Sequence, residues 1–486
     1  MSKAFDQFIH VCKQIKPILQ EIIDNGGTPY MVGGTVRDII LDKPLKDADI
    51  EVHGISIESL EQIFKKFGPV RLVGVQFGVL RIDGLDIDWS IPRRDSKGRK
   101  PTVEFDPTMT IELACKRRDI TMNAMAIDLK FVCKNFEQLE TIFTSNTTSL
   151  DIQRTLQIID PYGGLDDIKN KRLRAVDNKL FTEDPLRFFR VMHFIGRFEM
   201  EPDAELNDIC KKMSLADSET GRPLAKERIY EEIRKLFLKS QRPSKGFRWL
   251  EKLGRLNEIF PEIFDLTQTP QRPDRHPEGN VFEHSMQALD AAAQLETYQN
   301  EEEKFLITLA SLCHDFGKPS TTDEALSCKG HANAGVGISK QFLKRLMDNS
   351  KIINGVCKLV KYHTIPYEFI KIKASIKSYK KMALKLSPEA NLKQLALVAQ
   401  TDRQGRNDKS CEPLKIIDDD LLEFVQTAEK AQILFEPEKP VLLGRNLLDD
   451  VKPGKKMGEL LKKAYEIQIE EGITDWQILK QRVLKA

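Results

Sequence analysis

Several features are missing from this 486-residue sequence, and each absence narrows its class. The eight cysteines form no CxxC pair, which argues against a zinc knuckle and a disulfide scaffold and for reduced thiols in a cytoplasmic protein. No run of about 18 apolar residues exists, so no membrane-spanning helix is expected. The N-terminal segment is interrupted by Lys13 and Lys16 and lacks the apolar stretch of a signal peptide. Excess charge is absent too: 75 basic residues against 73 acidic leave a net charge of +2. Binding to a polyanion must therefore come from local patches. There is no GxGxxG after a strand and no GK[ST], so neither a dinucleotide fold nor a Walker loop is indicated. No solenoid period is found.

What is present divides into four regions. Residues 1–150 mix strands and helices. The first helix is amphipathic, with Phe5, Phe8, Ile9, Cys12, Ile15 and Leu19 at helical spacing. YMVGG and ADIEVHG read as strands, as do VLRIDGLDIDWSI and NAMAIDLKFV. TSNTTS, 144–149, reads as a polar loop. Residues 151–265 and 266–425 are helical, and 426–486 form a basic helical tail. The expected class is α+β: a head with a small mixed β-sheet, then all-helical regions.

The acids of the head carry the first chemical signal. On the strand KDADIEV, Asp47 and Asp49 point the same way. A lone pair of this kind also fits a solvated edge strand. Asp86-Ile87-Asp88, on the next strong strand, repeats the pattern. Gly33 and Gly34 follow a strand and open a helix, where backbone amides can approach phosphate. Arg37 lies one turn on. Three carboxylates beside such a turn suit two-metal phosphoryl transfer with a hard cation such as Mg²⁺.

GGTVRD followed by DAD resembles the signature of class II tRNA nucleotidyltransferases (CCA-adding enzymes) and bacterial poly(A) polymerases. KRRDITMNAMAID (116–128), DPYGGLDDIKNKRLRAV (160–176) and EDPLRFFRVMHF (183–194) resemble the family's following motifs in order. The resemblance implies a nucleotidyltransferase head and a helical neck. It assigns Asp47 and Asp49 to metal and Gly33, Gly34, Arg37 and Arg118 to nucleotide. Asp88 is the choice for third carboxylate, with Asp86 the alternative. Glu51 reads as a solvated strand end. Asp119, Asn123 and Glu183 are further candidates by their place in the motifs.

Asp184 and Arg187, at i and i+3, read locally as an intrahelical ion pair. The resemblance gives them a sharper role. Cytosine and adenine each present an amino donor beside a ring-nitrogen acceptor, which a carboxylate and a guanidinium complement. Uracil and guanine present the reverse. Arg190 matches a further nucleotide-contacting arginine. His193 departs from the arginine usual there, and a packed helix histidine is an equal reading. The basic segment RRDSKGRKPTVEFD (93–106) reads as a loop, which in this family is associated with switching from C to A addition.

Five of the eight histidines, at 276, 284, 314, 331 and 363, fall close together. The order His284, His314-Asp315, Asp402 resembles an HD phosphohydrolase domain. HPEGNVFEHS, CHDFGK and TDRQGR resemble the HD domain of some bacterial CCA-adding enzymes. This implies a metal site, with Ni²⁺, Mn²⁺ or Co²⁺ as candidate ions. His331 and His363 would be added ligands, and Lys318 a phosphate contact. The lysine runs 371–385 and 452–463 are candidates for a tRNA backbone. The implied partners are tRNA, CTP and ATP. The same head serves enzymes that add A alone or poly(A), and an HD hydrolase with a non-catalytic RNA-binding head is a third reading. The sequence leaves oligomeric state open.

Overall fold

The structure, a computed structural model, describes residues 3–45, 48–73, 78–95, 103–142, 149–216, 221–408, 411–416 and 418–485. Asp47, most of the basic segment after Arg93 and the TSNTT stretch lie outside the described residues. The chain divides into two compact units, Met1–Ala225 and Lys226–Ala486. No helix among the described residues is long and apolar enough to cross a membrane.

The first unit opens with α1 (Lys3–Asp24), β1 (Thr28–Val32), α2 (Gly34–Ile40), β2 (Ala48–His53) and α3 (Ile57–Phe64). Strands β3 (Val70–Val73), β4 (Val79–Ile82) and β5 (Ile87–Ser90) follow. Next come a short hairpin, β6 (Arg93–Asp95) and β7 (Val103–Phe105), and then β8 (Ala126–Asp128). The six-stranded sheet runs β3-β4-β5-β2-β1-β8. Its β2 and β5 are parallel, while the neighbouring pairs are antiparallel. It is the small mixed sheet expected of the head.

Alternation explains its two faces. Ala48, Ile50 and Val52 of β2, with Ile87 and Trp89 of β5, are buried. Asp49 and Asp88 take the opposite face. The buried face packs on the apolar stripe of α1 and on α3, where Phe64 meets Trp89 edge-on at 4.9 Å. Glu51 is not a solvated strand end. It is half-buried, and its Oε1 lies 3.0 Å from His53 Nε2.

Two expected strands are shorter than their sequences suggest. VLRIDGLDIDWSI folds back on itself as β4 and β5, turning at Asp83-Gly84 with Gly84 at φ 88. Asp86 therefore precedes β5 and is exposed. NAMAIDLKFV is strand only over β8. The Asp128 carboxylate then accepts the Lys130 and Phe131 amides and starts the helix Leu129–Lys134. Among the described residues between 131 and 159, the chain continues the helix Leu129–Lys134 and adds the helices Phe136–Ile142 and Ser149–Thr155. Its Phe136, Leu139, Ile152 and Leu156 join the α1 core.

The helices of the second unit, joined by loops, are its only regular elements among the described residues. Val281–Gln294, Glu301–Cys313, His331–Leu346, Ser350–Tyr362 and Leu392–Gln404 are its central helices. The lysine run beginning at 371 is only partly a free basic face. Lys377 and Lys381 both pair with Glu470 and so fasten the helix Ile376–Leu386 to the tail helix Lys455–Glu471, while Lys380 pairs with Glu438 in the loop before that helix.

Phe64 is fully buried against Trp89. Phe64→Ala should lower head stability by about 3–5 kcal/mol, read as a shifted denaturant midpoint.

Candidate active sites

In the head, Asp49 and Asp88 stand directly opposite each other on the parallel pair β2 and β5. The Thr35 hydroxyl accepts the Asp49 amide at 3.2 Å, tying the strand to the start of α2. Arg81 pairs with Asp88. Asp86 has no place on this face, so of the two candidates for third carboxylate Asp88 is the one beside Asp49. Two carboxylates held side by side form a hard oxygen donor set suited to Mg²⁺.

Gly33 has φ 70, and a Cβ there would collide with the Arg118 guanidinium. A side chain at this position would displace the Arg118 guanidinium from the turn and strain the backbone at this positive φ. Arg37 is 4% exposed. Its Nε donates to Asp38 at 2.8 Å and its Nη1 to Asn123 Oδ1 at 2.5 Å. The guanidiniums of Arg37 and Arg197 lie over the Phe198 ring at 4.6 and 4.7 Å, and Arg197 also donates to Asp38 at 3.1 Å. Arg37 is thus a buried strut beneath Gly34.

Asp119 extends this network. Its Oδ1 accepts the Ile120 amide at 2.9 Å and Asn123 Nδ2 at 3.0 Å, and its Oδ2 accepts Arg190 Nε at 2.6 Å. Burial alone would raise its pKa. The Arg190 charge and the bonds from Asn123 and Arg190 outweigh burial and hold the carboxyl well below the usual range.

Asp184 does not share a helix face with Arg187. It precedes the helix Leu186–Phe198, because Pro185 disfavours helical geometry in the residue before it. Its carboxylate accepts the Leu186 amide at 3.0 Å. Arg187 donates to the carbonyls of Leu180 at 2.9 Å and Arg117 at 2.6 Å. Glu183 is half-buried in the same turn. His193 is buried, its ring 5.1 Å from that of Phe194.

The second unit brings the remaining candidates together. His284 Nε2 lies 3.2 Å from both His314 Nε2 and Asp402 Oδ1. Asp315 Oδ2 lies 3.2 Å from His314 Nε2, and its Oδ1 lies 3.4 Å from His331 Nε2. His331 and His363 face each other at 3.2 Å. Among the described residues two inward-facing groups suited to a metal result, His284/His314/Asp402 and Asp315/His331/His363, and a third, His276/Glu278/His284, lies on the Nδ1 side of His284. The backbone keeps them close. Gly317 meets the His331 carbonyl and the Gly335 amide where any side chain would clash.

The Nδ1 atoms of His314, His331 and His363 face the carbonyls of Ser311, Cys328 and Val360 at 2.7, 2.9 and 2.8 Å. Each ring therefore carries its proton on Nδ1 and turns a lone pair inward. Facing lone pairs and carboxylates repel unless a cation lies among them, so this donor set fits a divalent metal. Burial lowers the basicity of His284, but hydrogen bonds with Asp402 and Glu278 outweigh it and raise its pKa to about 9. Lys318 Nζ is engaged with Asp315 and Gln271, each at 2.7 Å.

Sequence reasoning did not single out Arg406, which donates to Asp402 at 2.9 Å, or Glu278, whose Oε1 is 2.9 Å from His276 Nδ1 and 2.8 Å from His284 Nδ1. Both lie inside motifs that were recognised, HPEGNVFEHS and TDRQGR.

Comparison with known proteins agrees with this geometry. Residues 29–174 match the Poly A polymerase head domain model, and 281–403 match the HD domain model. Residues 222–266 match a model described as "Probable RNA and SrmB- binding site of polymerase A". The fold and its sites define a nucleotidyltransferase head followed by an HD domain. The chain is 30% identical to the multifunctional CCA protein of Tolumonas auensis over 78% of its own length and 84% of the relative's. It is 28% identical to that of Mannheimia succiniciproducens over 83% and 90%. The chain belongs to the multifunctional CCA protein family. Its fold is shared with the Bacillus stearothermophilus CCA-adding enzyme solved with CTP (TM-score 0.63, 17% identity, 97% of each chain). It is also shared with the Thermotoga maritima CCA-adding enzyme solved with tRNA (TM-score 0.53, 17% identity, 97% and 94%).

Asp119 has a depressed pKa, so it stabilises the head above the ordinary carboxylate pKa, and that stabilisation is lost as pH falls below about 4. Asp119→Asn should cost about 1–3 kcal/mol at neutral pH and flatten this acid limb, read from denaturant midpoints across pH.

Proposed function

We propose that this protein adds CCA to the 3′ end of tRNA from CTP and ATP without a nucleic-acid template, and that its HD domain hydrolyses phosphomonoesters or cyclic phosphates. The observation that carries the first activity is the Asp49–Asp88 pair beside the Gly33–Arg118 turn. The four regions have separate tasks: head 1–150, neck 151–265, HD domain 266–425 and tail 426–486. The protein acts in the cytoplasm.

Asp47, Asp49 and Asp88 would hold Mg²⁺. When bound, such ions lower the pKa of the attacking hydroxyl and neutralise charge on the departing pyrophosphate. Gly33, Gly34 and Arg118 receive the triphosphate, while Arg37 braces the turn from below. The tRNA 3′-oxygen attacks the α-phosphorus, a new P–O bond forms, and the bond to the β-phosphate oxygen breaks. Asp184 accepts the amino proton of C or A, and Arg187 donates to the ring nitrogen. Arg187 has five N–H donors and two go to carbonyls, so it can read a base without leaving its anchors. Asp119 fixes Arg190 toward the same helix turn.

In the HD domain, His284, His314, Asp315 and Asp402 would hold one transition-metal ion. His331 and His363 would be donors to a second. The nitrogen-rich set favours Ni²⁺, Mn²⁺ or Co²⁺ over Mg²⁺. Such ions would supply Lewis-acid chemistry, lowering the pKa of a water and polarising a phosphoryl oxygen.

The purified protein, given tRNA lacking CCA, should incorporate C from CTP alone and complete CCA with both nucleotides. Long A tracts from ATP alone would establish poly(A) synthesis instead, and no incorporation would defeat the proposal. Asp88→Ala should lower addition about 10³-fold or more and leave phosphohydrolysis intact, and His314→Ala should do the reverse. Loss of both activities in either variant would contradict two separate sites.

A further inference from the structure

The four inward-facing histidines of the second unit are not held alike. His314, His331 and His363 each turn Nδ1 to the carbonyl three residues earlier, a neutral acceptor supplied by their own chain segment. His284 sits in the first turn of the helix Val281–Gln294, and its Nδ1 has two acceptors. The nearer is Glu278 Oε1 at 2.8 Å, and the Gly405 carbonyl lies at 3.1 Å. The Glu278 side chain is fully buried and comes from the loop before that helix. His276 Nδ1 reaches the same Oε1 at 2.9 Å, and the His276 and His284 rings meet edge-on at 5.0 Å. The Glu278 Oε2 atom is buried without a hydrogen-bond partner.

A carboxylate behind a ligating imidazole does more than a carbonyl. It fixes the tautomer and ring orientation, and it raises the electron density that Nε2 offers a metal. We propose that Glu278 is a positioning residue that holds His284 with Nε2 toward the metal cluster and strengthens it as a ligand. As a result, the His284/His314/Asp402 half binds a divalent cation more tightly than the Asp315/His331/His363 half. His276 is Glu278's second tether, keeping the carboxylate in the loop from rotating away. This inference rests on the metal-dependent HD reading and extends it to an asymmetry between the two halves.

The test is calorimetric titration of the metal-stripped full chain with Mn²⁺, repeated with Co²⁺ while following its visible absorption. The wild type should show a tighter and a weaker class among the HD ions, assigned with Asp88→Ala present to silence the head. Glu278→Gln keeps the shape but removes the charge. It should weaken the tighter class about 10- to 100-fold, leave the weaker class unchanged and alter the Co²⁺ spectrum. Nucleotidyl transfer in Glu278→Gln on the wild-type head should be unchanged, which also shows that the chain is folded. His276→Asn keeps a side-chain N–H donor for the Glu278 carboxylate and should leave the tighter class about as tight. Equal Mn²⁺ affinities in wild type and Glu278→Gln would overturn the inference while leaving the HD reading intact. So would equal weakening of both classes, or a His276→Asn loss as large as that of Glu278→Gln. A wild type that binds neither ion would overturn the HD reading itself.

Discussion

Groups that repel one another are held together at two places in this chain, and much of the surrounding structure serves to keep them there. In the head, parallel pairing sets Asp49 opposite Asp88. In the second unit, His284, His314 and Asp402 converge to within 3.2 Å of His284 Nε2. Like charges or facing lone pairs meet at both, offset in part by Arg81 beside Asp88, Lys318 beside Asp315 and Arg406 beside Asp402. Each becomes favourable when a divalent cation lies among the donors. The stability of the remaining core is what holds these donors in place before the cation arrives.

The two sites achieve this by different means. The head uses sheet register and a chain of arginine–carboxylate contacts. Arg37 joins Asp38 and Asn123, Asn123 joins Asp119, and Asp119 joins Arg190. That chain runs from the helix behind the glycine turn to the helix that begins after Asp184. The phosphate end and the base-reading end of a nucleotide would therefore contact parts of one braced structure. The HD domain relies instead on close helix packing and backbone acceptors. Gly317 lets two segments approach, and three carbonyls orient three rings.

Much of this was legible in the sequence because the motifs carry chemistry that few other patterns reproduce. Asp49 and Asp88 share one sheet face, the glycine turn opens a helix, and the His-Asp pair meets the distant His284 and Asp402, as the motifs suggested, whereas Asp184 precedes the helix it was expected to share with Arg187. What the sequence hid was tertiary. Arg37 looked like a phosphate ligand, and only the fold reveals that it is buried under Gly34. Asp86 and Asp88 are indistinguishable by alternation until the turn at Gly84 removes one from the strand. Lys377, Lys380 and Lys381 read as a basic face, but their acidic partners lie some 60 to 90 residues further on (Glu438 and Glu470). Glu278 was visible in HPEGN, yet nothing local says that a histidine six positions later needs it.

The central claim is that these two donor sets are cation sites belonging to two separate chemistries. Anomalous diffraction from crystals of the full chain soaked in Mn²⁺ tests it most directly. One peak between Asp49 and Asp88 and further density within the His284–Asp315–His363 cluster are expected. Mn²⁺ density at neither place, in crystals that retain these side-chain positions, would contradict it.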